Sequence, residues 1–136
     1  MDKPAFSGPA GQSLLRRRIA SFGHSVRGVW LALRSEVHMR FHAVAAVVAI
    51  GLGFYLRLNR LEWALVALAI AGVWTAELLN TAIEALTDLV SPGYHPLAGK
   101  AKDVAAGAVL LAALGALAVG LLVFGPHFIR IYQTGR

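Results

Sequence analysis

Residues 77 to 103 read ELLNTAIEALTDLVSPGYHPLAGKAKD. The stretch opens inside an apolar run suited to crossing a membrane, yet it carries Glu77, Asn80, Glu84 and Asp88 and closes on Lys102-Asp103. Ionisable groups in a membrane segment are costly and mark functional sites. At about 100° per residue, Glu77, Glu84 and Asp88 fall within roughly 40° of one another, with Asn80 about 60° to one side. One helix thus presents a polar stripe running from membrane depth toward a surface. A stripe facing lipid is expensive, so this one must face protein, water or ions. Clustered carboxylates repel unless a proton or a metal relieves them. Mg²⁺, held by one or two carboxylates plus substrate phosphates, suits such a cluster. Interhelical hydrogen bonding is the plainer reading, but polar glue in membranes is usually Ser, Thr, Asn or Gln rather than paired Glu.

Outward from this stripe, the chain has 136 residues, enough for one small domain. Its hydrophobic content of 57% and mean hydropathy of +0.63 predict several membrane spans. The absence of cysteine excludes a disulfide framework and a thiolate metal site. The net charge of +6 fits positive-inside topology and anionic lipid contact. No aromatic-interleaved basic patch points to nucleic acid.

Residues 1–13, rich in Gly, Pro, Ser and Ala, read as a disordered tail ahead of a single domain over 14–136. From residue 14 to 42 the apolar Phe22, Val26, Val29, Trp30, Leu33 and Val37 follow a helical period, with Arg27, Arg34 and His38 mostly elsewhere. That pattern predicts a basic amphipathic helix lying in the membrane interface. Glu36, with Arg40 at i+4, reads equally as a surface pair or as part of a site. Spans are predicted over about 43–58, 63–86 and 104–125, with a tight turn at 57–62 and a loop over 87–103 broken by Ser91-Pro92-Gly93. Ala108, Ala112, Ala116 and Gly120 form a small-residue ladder for close helix packing. His38 and His42 are spaced i, i+4 but have no obvious third ligand, so they read as interface histidines.

Lysine and arginine counts set the topology. Nine fall on the amino-terminal region and the 87–103 loop, against four on the 57–62 turn and the carboxyl tail. The amino terminus and the second loop are therefore expected in the cytoplasm, where ATP is available. Carboxylates for a metal, a Lys for phosphate charge and an acid at membrane depth are the parts for phosphoryl transfer. Burial disfavours a charged carboxylate, which suits Glu77 to take a proton from a lipid hydroxyl. Lys102 is placed to offset charge on the transferring group. The nearest approach to a P-loop, Gly93 to Lys100, has five residues between its glycines and Ala101 where Ser or Thr is required. Nucleotide binding must be built another way. His95, between Tyr94 and Pro96, reads equally as a nucleotide contact or as loop packing.

The strings ELLNTAIEALTD and YHPLAGKAKDVAAGAV, preceded by SFGHSVRGVWLALRSEVHMRFH, resemble the prokaryotic diacylglycerol kinase and undecaprenol kinase family over about Arg17 to Val123. The resemblance implies an all-α membrane protein with an amino-terminal interfacial helix and three transmembrane helices. It implies a homotrimer with active sites shared between subunits, acting at the cytoplasmic face of the bacterial inner membrane. The implied reaction transfers the γ-phosphate of ATP to a lipid alcohol with Mg²⁺. By motif position, Glu77 resembles the catalytic base, and Glu36 and Glu84 the metal-holding carboxylates that also meet the nucleotide. Asn80, Lys102 and Asp103 resemble further active-site residues, the last two also meeting nucleotide. Arg17, His24, Gly93, Tyr94 and His95 fall where the family contacts nucleotide. His38 stands where many members carry Asn, and His24 and Gly93 vary from one branch. Ala105-Ala106-Gly107 resembles the undecaprenol branch more than the diacylglycerol branch.

Two other classes fit parts of the pattern. A proton or ion pathway uses intramembrane carboxylates but needs a stripe crossing the whole bilayer, and this one stops partway through the second span. An inert structural subunit would use the acids only to pack against basic partners and would bind no nucleotide.

Overall fold

The computed structural model describes residues 14–135 as four helices: α1 (Leu14–Ser35), α2 (Val37–Leu56), α3 (Arg60–Val90) and α4 (Pro96–Thr134). The tail expected to be disordered, residues 1–13, lies outside the described residues, as does the side chain of Arg17. The last three helices are each long and apolar enough to cross a membrane. Their outward side chains, among them Leu68, Leu111 and Leu122, are exposed. Apolar exposure on this scale suits lipid or a partner subunit rather than water. The chain is an integral membrane protein of helical class.

The helix expected to run from residue 14 to 42 is interrupted at Glu36, whose backbone is extended (φ −99°, ψ 124°). Val37 to His42 thereby join the first span. At about 1.5 Å per residue the 20 residues of α2 reach roughly 30 Å, the thickness of a bilayer's hydrocarbon core. The extra turn and a half removes the shortness of the expected 43–58 span.

The turn into α3 is closed by backbone chemistry. Arg57 adopts the left-handed conformation (φ 55°, ψ 53°), and the N–H groups of Arg57 and Leu58 donate to Phe54 and Gly53 carbonyls at 3.3 and 3.1 Å. This Schellman arrangement satisfies carbonyls left over at the end of α2. Asn59 then caps α3. Its Oδ1 accepts from the N–H groups of Leu61 and Glu62, and Glu62 Oε2 accepts from Asn59 N–H at 2.8 Å. Both ends of the turn are thus supplied with partners where a membrane boundary offers few.

Two corrections concern the loops. The expected loop over 87–103 shrinks to residues 91–95, because Pro96 starts a helix rather than breaking one. Proline is suited to a first helical position, where its missing N–H costs nothing. His95 caps the new helix, its Nδ1 accepting from Leu97 N–H at 3.2 Å. Lys102 and Asp103 therefore stand on a helix. At the far end α4 passes through Pro126 and continues to Thr134. One missing backbone hydrogen bond is tolerated in membrane helices, where neighbouring groups re-satisfy the freed carbonyl.

α3 and α4 run antiparallel and are joined by polar pairs near both ends. Asp88 meets Lys102 at one end, and Glu62 Oε1 lies 3.1 Å from His127 Nε2 at the other. The two pairs are about 39 Å apart along α3, wider than a hydrocarbon core of about 30 Å. Between them, at the Glu62 end, Leu58, Val66 and Val123 form the buried core, with Trp63, Ile70 and Phe124 packed around it. Ala116 and Gly120 of the small-residue ladder line a cavity among α2, α3 and α4.

Gly53 makes the close α2–α3 turn possible. A Cβ there would lie 2.7 Å from Trp63 Cη2 and 3.2 Å from Leu58 Cδ1, whereas one at Gly51 would meet nothing within 4 Å. Gly53→Ala is expected to lower stability by about 1–3 kcal/mol, and Gly51→Ala to be tolerated. Thermal unfolding of both variants in detergent checks this.

Candidate active site

Glu77 is the one buried charged residue among the described residues, 3% exposed near the middle of α3. It stands about 22 Å along the helix from Glu62 and about 17 Å from Asp88. With about 30 Å of hydrocarbon reckoned from Glu62, Glu77 lies about 8 Å short of the opposite boundary.

The polar stripe is resolved into three engaged pairs. Glu77 Oε1 lies 3.2 Å from Nε2 of His42 on α2, close enough for an ion pair but not aligned as a hydrogen bond. One turn on, Asn80 Nδ2 donates to Glu84 Oε1 at 2.8 Å. Asp88 holds Lys102 of α4. Glu84 and Asp88 are thus matched with a donor and a cation, which limits the repulsion expected of a bare acidic stripe, while Glu77 faces His42 without an aligned hydrogen bond. Thr81 Oγ1 donates to the Glu77 carbonyl at 3.0 Å, adding a side-chain bond to the backbone beside the acid.

Three buried polar atoms in this stretch have no hydrogen-bond partner: Trp74 Nε1, Glu77 Oε1 and Asn80 Oδ1. They belong to residues spaced three apart on one helix. Buried polar groups are nearly always satisfied, so a run of exceptions is typical of a site that awaits a ligand, water or proton. A cavity of about 410 Å³ opens beside Trp74, lined also by His42 and otherwise by apolar or small side chains of α2, α3 and α4. A second groove of about 920 Å³ lies between α3 and α4 and includes Asn80 and Lys100.

The other sequence-predicted residues are spread over the helices and the 91–95 connection. Glu36 is half-buried at the α1–α2 break. Asp103 is exposed on α4, one residue past Lys102. Gly93 and Tyr94 lie in the 91–95 connection, with Tyr94 95% exposed, and His95 serves as the α4 cap. His24 is exposed on α1, and the Arg17 side chain lies outside the described residues.

A Mg²⁺ site at Glu36 and Glu84 is compatible in donor chemistry, since carboxylate oxygens suit a hard cation. Among the described residues no group of three or more His, Asp or Glu side chains converges as a closed metal site. A cation here would draw its remaining ligands from water and phosphate. The residue that sequence reasoning missed is His42. It was paired with His38 by spacing, but His38 is exposed while His42 turns to Glu77. Its position at the head of an apolar span was the available signal.

Comparison with known proteins matches residues 23–124 to the family model described as prokaryotic diacylglycerol kinase. The chain is 46% identical over 112 residues to an undecaprenol kinase of Bacillus subtilis (strain 168), covering 82% of this chain and 91% of that one. It is 43% identical over 114 residues to a diacylglycerol kinase of Synechocystis sp., covering 83% of this chain and 65% of that one. To a diacylglycerol kinase of Escherichia coli (strain K12) it is 32% identical over 112 residues, covering 82% and 92%.

Proposed function

Because the chain belongs to the prokaryotic diacylglycerol kinase family and is a lipid kinase acting on a membrane lipid alcohol, we propose the following division of labour among its residues. Glu77 is the general base for the lipid hydroxyl. The observation that carries this is the burial of one carboxylate within a membrane-spanning helix, facing His42, which lines an apolar cavity. ATP is the phosphoryl donor. As the hydroxyl oxygen bonds to the γ-phosphorus, its proton passes to Glu77 and the bridging P–O bond breaks to release ADP. Asn80 orients Glu84 through the hydrogen bond between them. Lys102 exchanges Asp88 for the transferring phosphate, a cheap exchange because an exposed ion pair contributes little to stability. Asp103 stands beside it on the same helix.

Glu36 and Glu84 hold Mg²⁺, which when bound neutralises phosphate charge. Arg17, His24, Gly93, Tyr94 and His95 contact nucleotide, a reading that rests on motif position. α1 lies in the membrane interface, supported by the exposure of Phe22, Val26 and Trp30 at helical spacing. The protein is a homotrimer with shared active sites in the bacterial inner membrane, its amino terminus cytoplasmic. The exposed apolar helix faces and the distribution of Lys and Arg support that arrangement. Undecaprenol is the favoured acceptor, supported by similarity to the Bacillus subtilis enzyme and by Ala105-Ala106-Gly107.

Side-by-side assays of γ-phosphate transfer in micelles should show undecaprenol preferred over diacylglycerol by on the order of tenfold or more in kcat/KM. The reverse order would move the protein to the diacylglycerol branch. Glu36→Gln and Glu84→Gln should each raise the Mg²⁺ concentration for half-maximal activity by at least about tenfold, a loss that even outer-shell substitutions cause at metal sites. An unchanged Mg²⁺ titration in both removes them as ligands.

A further inference from the structure

We propose that His42 is a positioning residue for Glu77 and the final resting place of the lipid hydroxyl's proton, the two side chains acting as a buried carboxylate–imidazole dyad. The proposal rests on the reading of Glu77 as the base. Its ground is geometric. His42 Nε2 is 3.2 Å from Glu77 Oε1, both side chains are largely withdrawn from solvent, and the same Oε1 has no aligned hydrogen-bond partner. A small side-chain rotation would align the pair. Catalytic hydrogen bonds are often loose before substrate binds and tighten in the complex.

The surroundings leave His42 as the natural partner. On α2 the neighbouring charged and titratable groups, His38 and Arg40, are exposed and turned away. On α3 the next acid, Glu84, is engaged by Asn80. On α4 the residues lining the shared cavity, Ala113, Ala116 and Leu117 among them, carry no ionisable group. Trp74 reaches the same cavity but offers only an N–H donor.

The proton balance follows. Before transfer the pair is a carboxylate and a neutral imidazole. The hydroxyl oxygen forms its bond to the γ-phosphorus, ADP leaves with the electrons of the bridging P–O bond, and the proton passes through Glu77 to Nε2 of His42. What remains is a carboxylate beside an imidazolium, a paired state rather than an isolated charge at membrane depth. Release of that proton to water resets the dyad. Without His42 the proton must stay on Glu77 until water reaches it.

His42→Gln and His42→Ala test this in the full-length protein in detergent micelles, with folding checked by circular dichroism and gel filtration. The expected result for His42→Gln is a fall in kcat on the order of a hundredfold. KM for lipid and for ATP should be little changed. The acidic limb of the pH–kcat profile should change, because two coupled groups titrate as a pair and a lone carboxyl does not. Added imidazole should restore part of kcat in His42→Ala, entering the adjoining cavity. A wild-type kcat in His42→Gln overturns the proposal. So does a lost kcat with an unmoved acidic limb and no imidazole rescue, the signature of a packing contact alone. Glu77→Gln separates the two readings. If it turns over normally, the base assignment fails and takes this proposal with it. If it is inactive while His42→Gln matches wild type, only the role of His42 fails.

Discussion

A single carboxyl group kept between two apolar helices is the constraint on which the rest of the structure depends. Glu77 is excluded from lipid and nearly excluded from water. An isolated charge so placed is costly, and the one polar side chain of α2 that faces the acid is His42, 3.2 Å away. That opposition needs α2 packed against α3 in one register. The register is set some five turns away, at the turn where Gly53 admits the Trp63 ring and Asn59 and Glu62 cap α3 reciprocally. A fault at the turn would slide His42 along α3 and leave the acid unpaired.

The same logic explains the two ends of the α3–α4 pair. Glu62–His127 and Asp88–Lys102 are about 39 Å apart along α3, too far to lie together in a hydrocarbon core of about 30 Å, and they tie α3 to α4 near both ends. Glu62 does two tasks, capping α3 with one oxygen and meeting α4 with the other. One cavity opens among α2, α3 and α4 against the core residues Val66 and Phe124, and a groove runs between α3 and α4 past Asn80 toward Lys100.

The parts legible in sequence were those written in local pattern. Three apolar runs, the polar stripe at helical spacing, the tight turn near Asn59 and the break at Ser91-Pro92-Gly93 all appear in the structure as helices and connections. The kinase reading rested on resemblance carried by the residues around Glu77 and Lys102. What escaped depends on context. Glu36 interrupts the first helix although nothing in its neighbours demands it. Pro96 starts a helix and Pro126 sits inside one, because proline's effect depends on whether its missing N–H would have had a partner. Asn59 and Glu62 spell a capping box that the turn reading passed over. His42 and His127 find acids 35 and 65 residues away in sequence, and no local period encodes such pairings.

The most direct test of this account is lipid phosphorylation by Glu77→Gln, a change that keeps the shape of the buried side chain and removes its ability to accept a proton. The variant is predicted to fold and assemble as the parent does, since an amide of the same shape replaces the carboxyl, and to lose turnover by on the order of a hundredfold or more. A folded variant that phosphorylates its lipid at the parental rate would contradict the account at its centre.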